Sequence, residues 1–122
     1  SEASEVQEFY IGGIVGYIQN TGSFSPRIEN CVLRNGLQVA QTGKTENVGL
    51  AIGYIDGGFT TETYSNLYAN GNNSTSQKIV GNKATTNGIL TGNTYKNQSS
   101  YSGLDFTNTW TIEEGVSAPI LK

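Results

Sequence analysis

The side chains that usually carry enzyme chemistry are scarce in this chain of 122 residues. It contains no histidine, so it lacks the commonest general base and the commonest metal ligand. Cys31 is the only cysteine, which leaves it without a disulfide partner inside the chain and without a histidine to activate it. In the run Cys31-Val32-Leu33 it is expected to be a small buried hydrophobic residue. We therefore expect no enzymatic activity, no cofactor and no metal.

The ten carboxylates are poorly placed for an acid–base pair or a calcium site. Asp56 stands before two glycines, which is typical of a turn. It is six residues from Glu62, and no third acidic partner completes a calcium site. Glu113 and Glu114 are adjacent, so in a strand they would face opposite sides. These acids indicate turn and surface roles.

Tyrosine is the strongest candidate for contact with a ligand. Exposed aromatic rings can stack on sugar faces, and Asn, Gln and Thr supply hydrogen bonds. The candidate glycan contacts are Tyr64, Tyr68, Tyr95 and Tyr101. The alternative interpretation is that Tyr17 and Tyr54 stack on each other as a repeat feature, and that Tyr64 and Tyr68 are half-buried surface residues.

Composition favours an all-β protein. Gly, Thr, Asn and Ser together supply 54 of the 122 residues, while residues that fill surface helices are scarce. The net charge is −3 and the seven Lys and Arg residues are scattered, so nucleic acid is not an expected partner. No apolar run approaches the ~20 residues of a membrane span.

An internal repeat organises the chain. The segment 11–18 aligns with 48–55 at an offset of 37 residues, and 28–32 aligns with 64–68 at an offset of 36. Identical residues recur at four positions of the first alignment, as Gly12 and Gly49, Gly16 and Gly53, Tyr17 and Tyr54, and Ile18 and Ile55. Repeats of this length indicate stacked structural units.

Each unit is predicted to hold three short strands, each pairing in parallel with its copy in the next coil of a β-solenoid. The predicted strands are 10–18, 28–33 and 37–41, then 48–55, 63–68 and 77–80, with a fainter third unit at 78–82 and 87–93. The repeated glycines would let coils pack closely, and Asn30 would stack with Asn66. The alternative fold is an antiparallel β-sandwich.

The expected boundaries are a polar lead-in at 1–8, solenoid coils at 9–100 and a C-terminal cap at 101–122. In the cap, Phe106, Trp110 and Leu121 would seal the last coil against end-to-end aggregation. The chain has no methionine, so we expect it to be a piece of a longer protein. The side of the stack around 9–18 would then pair with an upstream coil.

The first unit resembles the GLUG repeat of bacterial surface proteins, through Gly-Gly-Ile-Val-Gly-Tyr at 12–17 and Ile-Glu-Asn-Cys at 28–31. The second unit departs from that pattern at Leu50 and Ala51, and it has Asn-Leu-Tyr at 66–68 where the family prefers Asn-Cys-Tyr. The tail resembles the segment that often closes such arrays, through Trp110, Ile112, Gly115, Pro119 and Leu121.

The resemblance implies a right-handed parallel β-helix at the bacterial cell surface. Such repeats occur in secreted adhesin-like proteins and in non-catalytic regions of some immunoglobulin-cleaving metallopeptidases. We therefore expect a non-enzymatic structural or adhesion module of a secreted or cell-surface bacterial protein. Its partners would be upstream coils of the same parent protein and a host or cell-surface glycan or protein. One alternative is a carbohydrate-binding module using surface tyrosines, and another is the remnant of a solenoid hydrolase.

Overall fold

The structure, a computed structural model, describes residues 10–19, 26–33, 47–56, 64–70, 78–83 and 88–122. Within these residues the chain is built almost entirely of short strands and turns, so the expectation of an all-β protein is confirmed. The strands are β1 (Ile11–Gly12), β2 (Val15–Ile18), β3 (Ile28–Leu33), β4 (Val48–Gly49), β5 (Ile52–Ile55), β6 (Tyr64–Asn70), β7 (Ile89–Leu90), β8 (Trp110–Thr111) and β9 (Ile120–Leu121). Two single-turn 3-10 helices, η1 (Thr94–Lys96) and η2 (Gln98–Ser100), lie between β7 and β8. The lead-in at 1–8 and the predicted strand 37–41 lie outside the described residues.

The strands of the first repeat pair in parallel with their copies in the second. β1 lies beside β4 and β2 beside β5, with Ile11 opposite Val48 and Tyr17 opposite Tyr54. β3 lies beside β6, again in the register of the sequence alignment. Among the strands described, only β8 and β9 pair in antiparallel fashion. This pairing differs from that of the antiparallel β-sandwich held as the alternative.

Each repeat turns a corner inside a segment that the sequence predicts as one strand. The predicted strand 10–18 is divided into β1 and β2, and 48–55 is divided into β4 and β5. Hydrogen bonds cross between the corners, since Gly13 N donates to Leu50 O and Leu50 N donates to Lys78 O. The corners of successive segments are therefore stacked, and the backbone pairing continues through them.

Glycine at these corners lets neighbouring backbones come very close. A Cβ atom on Gly49 would lie 2.7 Å from Gly81 N and 2.8 Å from Ile79 O, and it would overlap Ile52 O. Gly12 has the equivalent surroundings one repeat earlier. A side chain at either position would have to push the stacked backbones apart.

In each repeat an asparagine with a left-handed backbone conformation interrupts the alternation of side chains between the two faces of the sheet. Asn30 in β3 and Asn66 in β6 have φ angles of 57° and 51°, a region that asparagine tolerates better than most residues. Side chains of a regular strand alternate between faces, yet Ile28 and Cys31, three residues apart, pack against the same core. Asn66 Nδ2 donates to Asn30 Oδ1 at 3.0 Å, which confirms the predicted stack of these two residues.

The main core is most completely buried in the second repeat. Ile52 and Ile55 are fully buried, whereas the residues opposite them in β2 are the half-buried Val15 and the almost buried Ile18. The second repeat is covered by the first on one side and by residues 78–80 on the other. The remaining buried members of this core are Leu50, Ala51, Leu67, Ala69, Ile79 and Val80.

A third segment continues the parallel pairing by a shorter route. Val80 bridges Ile52, 28 positions earlier, and Ile89 in β7 lies opposite Ala69, 20 positions earlier. In the described residues the predicted strand 77–80 is reduced to this one bridge, and the predicted strand 87–93 is the two-residue β7. The third unit is therefore shorter than the first two.

The side chain of Asn82 ends the β2–β5 sheet at the edge of β5 that faces away from β2. After Val80 the chain turns, with Lys83 N donating to Val80 O at 3.1 Å. Asn82 Oδ1 accepts from Ile55 N at 2.9 Å, and Asn82 Nδ2 donates to Ile55 O at 2.7 Å. These are hydrogen bonds of the kind that a neighbouring strand would make, so one side chain satisfies the strand edge at Ile55.

The C-terminal segment, residues 91–122, packs on the other face of the β3–β6–β7 sheet. Tyr68 lies between Leu67 and Ala69, which both belong to the main core, so alternation directs its ring to the opposite face. There it forms a second cluster with Tyr101 and Leu104. The half-buried side chains around this C-terminal cluster are Val32, Leu90, Phe106, Trp110 and Ile112.

Replacing a corner glycine tests the close approach of the backbones. We expect Gly49→Ala to lower the free energy of unfolding by about 1–3 kcal/mol, the usual cost of overpacking. The control is Gly92→Asn, because Gly92 has a φ of 61° with nothing within 4 Å of a Cβ placed on it, and asparagine tolerates that φ. Urea denaturation measures both, and an equal loss in the two variants would contradict the packing role of Gly49.

Removing the Asn82 amide tests how the sheet ends. We expect Asn82→Leu to cost about 1–3 kcal/mol, because the N–H and C=O groups of Ile55 lose their partners in a partly buried place. Asn93→Leu is the control, since Asn93 is exposed and its side chain makes no capping hydrogen bond to η1. Amide hydrogen exchange should quicken at Ile55 in the first variant only; slow exchange in both would refute this role of Asn82.

Candidate functional site

Three tyrosines form a cluster at the surface beside the β2–β5 sheet. Tyr17 and Tyr54 stack with ring centroids 5.4 Å apart and planes 9° apart, as the repeat predicts. Tyr10 packs edge-on against both, with centroids 4.6 Å from Tyr17 and 5.6 Å from Tyr54. Tyr17 is 38% exposed and the other two are half-buried. We call these three residues the tyrosine cluster. In the described residues it is the largest group of contacting aromatic rings that lies outside the C-terminal cluster.

Asp56 holds the ring of Tyr17 in place. The Tyr17 hydroxyl donates to Asp56 Oδ1 at 2.6 Å. This hydrogen bond, together with partial desolvation and the nearby negative charge, raises the pKa of Tyr17 to about 12. The sequence indicates only a turn role for Asp56. Its position two residues after Tyr54 was the available signal, because residues two apart in a strand share a face.

Two of the predicted glycan contacts, Tyr68 and Tyr101, are structural instead. They are 8% and 1% exposed, and their rings meet edge to face with centroids 5.0 Å apart. The Tyr68 hydroxyl accepts a hydrogen bond from Gly103 N, and the Tyr101 hydroxyl donates to Tyr95 O. Burial is the main cause that raises the pKa of Tyr101 to about 12. Because both rings are buried, neither offers a face to a sugar. Their contact with each other joins the C-terminal segment to β6.

The other two predicted contacts, Tyr64 and Tyr95, are half-buried and lie in different parts of the fold. Tyr64 packs against the main core, and burial raises the pKa of its hydroxyl. Tyr95 lies in η1, where Lys96 Nζ is 5.4 Å from its ring centroid. The four predicted tyrosines therefore do not come together as one glycan site. The sequence did not mark the tyrosine cluster as a candidate site, because the recurrence of Tyr17 and Tyr54 was interpreted as a feature of the repeat.

Most of the carboxylates in the described residues hold structural hydrogen bonds. Glu29 accepts from Ser65 and lies 3.8 Å from Arg27. Hydrogen bonds from Asn108, then Thr107, lower the pKa of Asp105 and fix the turn that follows it. Glu114 accepts a hydrogen bond from Gln98 N, and Asp56 accepts one from the Tyr17 hydroxyl. Within the part of the chain described, no three acidic or cysteine side chains are grouped to hold a metal ion.

Cys31 behaves as the sequence predicts for a small hydrophobic residue. It is half-buried and packs against the main core. Burial raises the pKa of its thiol, and its Sγ donates to Glu29 O at 3.3 Å. A protonated, half-buried thiol is a poor nucleophile.

The three predicted cap residues are placed unequally. Phe106 and Trp110 are half-buried against the C-terminal cluster. Leu121 lies opposite Trp110 in the β8–β9 pair but is 64% exposed. Phe106 and Trp110 therefore anchor the segment on the face of the β3–β6–β7 sheet, and sealing of the last coil remains a prediction.

Three groups of side-chain contacts stand out in the arrangement of the described residues. They are the tyrosine cluster, the Asn30–Asn66 pair and the C-terminal cluster. No family model, curated protein or solved structure matches the chain. Its function is therefore inferred from its own residues.

A titration of the tyrosines tests the bond between Tyr17 and Asp56. Ultraviolet absorbance should show Tyr17 and Tyr101 ionising near pH 12, and Asp56→Asn should return the pKa of Tyr17 toward its ordinary value of 10.0. A raised pKa in the folded state favours the protonated phenol. Its stabilising contribution is therefore complete below about pH 10 and is lost as the pH rises to about 12.

Tyr101 is the internal control for this titration, because burial and not Asp56 raises its pKa. In Asp56→Asn, the loss of stability between pH 10 and 12 should be smaller than in the unsubstituted protein. If the number of tyrosines ionising near pH 12 is the same in both proteins, the hydrogen bond to Asp56 is not the cause of the shift.

Proposed function

We propose that the chain is a non-enzymatic structural and adhesion module whose repeats stack as coils of a right-handed parallel β-helix. The observation that supports this most strongly is the constant register between repeats. Gly12 pairs with Gly49, Tyr17 with Tyr54, and β3 with β6, at spacings of 37 and 36 residues. Contacts that repeat along one axis build a stiff, extendable body.

Further coils of the same parent protein are the proposed main partner. Among the residues described, no strand pairs with the outer edges of β1, β2 and β3. An upstream coil of the same type would satisfy these backbone groups, stack a ring on Tyr17 and extend the Asn30–Asn66 pair. On the other side, Asn82 and the C-terminal segment support a closed end.

We propose that this module works at the surface of a bacterial cell or after secretion. The resemblance of residues 12–17 and 28–31 to GLUG repeats supports this location. An adhesion role would bring the module against a host or cell-surface glycan or protein. The engaged carboxylates and the lack of histidine in the sequence support a role without catalysis.

The second candidate function is carbohydrate binding by surface tyrosines. The observation in its favour is the tyrosine cluster, in which Tyr17 is 38% exposed and held by Asp56. Oriented aromatic rings beside a hydrogen-bonding side chain are a common way to hold a sugar ring. Sugar binding here and stacking of an upstream coil exclude each other, because a coil that stacks a ring on Tyr17 covers the surface that a sugar would contact.

Inserting extra repeats tests the coil stack. Additional copies of residues 11–47, placed between Asn47 and Val48, should each lengthen the protein by about 4.8 Å, the spacing of paired strands. Four copies should add about 19 Å, measured as the maximum dimension from small-angle X-ray scattering. The cross-section should stay constant, because a stack grows along one axis only.

The matched control carries Gly12→Val and Gly16→Val in every added copy. A side chain at Gly12 would collide with the backbone of the neighbouring repeat, and one at Gly16 with the backbone of Tyr10, so the added copies should not extend the body as an ordered rod. If the unsubstituted insertions enlarge the protein equally in all directions, or if the control lengthens it by the same amount, the β-helix proposal is wrong.

A further inference from the structure

A small open pocket lies between η1 and the turn that follows Glu113. Its volume is about 260 Å³, and it is lined by Asn93, Thr94, Lys96, Asn97 and Gly115. Pockets that enclose a drug-sized ligand have volumes of about 300–1,000 Å³, so this pocket is smaller than they are. The space suits a single ring with polar substituents, because the lining residues carry amide, hydroxyl and ammonium groups.

The walls of the pocket are held by hydrogen bonds that leave most of the lining side chains free. Gly115 N donates to Lys96 O at 2.9 Å and Gln98 N donates to Glu114 Oε2 at 2.8 Å, which ties η1 and η2 to the 113–116 turn. The Tyr101 hydroxyl fixes the Tyr95 carbonyl at 2.7 Å. A site held in this way loses little freedom when a ligand binds.

The free groups match the hydroxyls of a sugar. The Asn93 and Asn97 side chains flank η1, and each amide offers both a donor and an acceptor, as a pair of neighbouring hydroxyls requires. Thr94 Oγ1 donates to Thr91 O at 2.7 Å, so its oxygen still accepts.

Lys96 gives the pocket its charge preference. It is the one charged residue of the lining, and its ammonium group lies 5.4 Å from the Tyr95 ring centroid. The carboxylate of Glu114 is not part of the lining and accepts from the backbone of Gln98. A cation held beside free amides attracts a carboxylate.

We infer that this pocket binds the terminal ring of an acidic saccharide, of the uronic acid class. Lys96 pairs with the sugar carboxylate, while the amides of Asn93 and Asn97 hydrogen-bond to ring hydroxyls. The site is distinct from the tyrosine cluster, and it goes beyond the structural role, because all of its lining residues lie in the C-terminal segment and none lies in the paired repeats. The scattering experiment and a sugar titration therefore fail independently.

The test compares galacturonic acid with galactose, which has the same ring and lacks the carboxylate. In an NMR titration of the isotope-labelled full chain, galacturonic acid should shift the backbone amides of Lys96, Asn97 and Gly115. Galactose should bind about tenfold more weakly, the effect of losing one charge-assisted hydrogen bond. Equal binding of the two sugars, or no shift at these amides with either, would overturn the inference.

Substitutions separate the charge from the hydrogen bonds. Lys96→Gln should weaken galacturonic acid about tenfold and leave galactose unchanged, whereas Asn97→Ala should weaken both sugars. Gln19→Ala is the matched control, since Gln19 is an exposed amide outside the pocket. The dispersion of the amide spectrum reports whether each variant is folded. A folded Lys96→Gln protein that binds galacturonic acid as the unsubstituted chain does would refute the role of Lys96.

Discussion

Parallel backbone hydrogen bonds join β1, β2 and β3 of the first repeat to β4, β5 and β6 of the second, and corner glycines let the chains approach closely enough to form them. This pairing places the side chains of β1, β2 and β3 beside the residues 36 or 37 positions later. Like residues therefore meet like residues, as in the Tyr17–Tyr54 stack and the Asn30–Asn66 hydrogen bond. The rest of the structure follows from that constraint.

The constraint also explains the composition. Where residues stack in register, like charges at a repeated position repel, whereas amides and hydroxyls at such a position can hydrogen-bond to one another. Only 14% of the residues are charged. Glu29 stands opposite Ser65, so the one carboxylate of this pair meets a hydroxyl. The abundance of Asn, Ser and Thr is thus what in-register pairing of an exposed surface favours.

Much of this arrangement could be predicted because repetition itself carries the information. The alignment of 11–18 with 48–55 predicted the strand register and the Tyr17–Tyr54 contact, and the alignment of 28–32 with 64–68 predicted the Asn30–Asn66 contact. The corners inside 10–18 and 48–55 were missed because an apolar, β-branched run has the same pattern whether or not it bends at a glycine. A turn in three dimensions leaves little trace in hydrophobic periodicity.

Features that occur once were the harder ones to predict. Asn82 pairs with the Ile55 backbone across 27 residues, and no local pattern marks an amide for that role. Tyr68 and Tyr101 looked like surface aromatics because their burial depends on how the C-terminal segment folds back onto β6. The pocket beside η1 was not predicted for the same reason, since its two walls are about 20 positions apart in the chain.

The uneven burial of the core sets an order in which the molecule opens. Ile52 and Ile55, in the second repeat, are fully buried between neighbours on both sides, whereas Val15, in the first repeat, is partly exposed to solvent. Detaching β1 and β2 breaks one layer of pairing, while detaching β4 and β5 breaks two. Local opening therefore costs less at the first repeat than at the second. Of the two repeats described, we therefore expect the second to keep its protection from hydrogen exchange longer than the first.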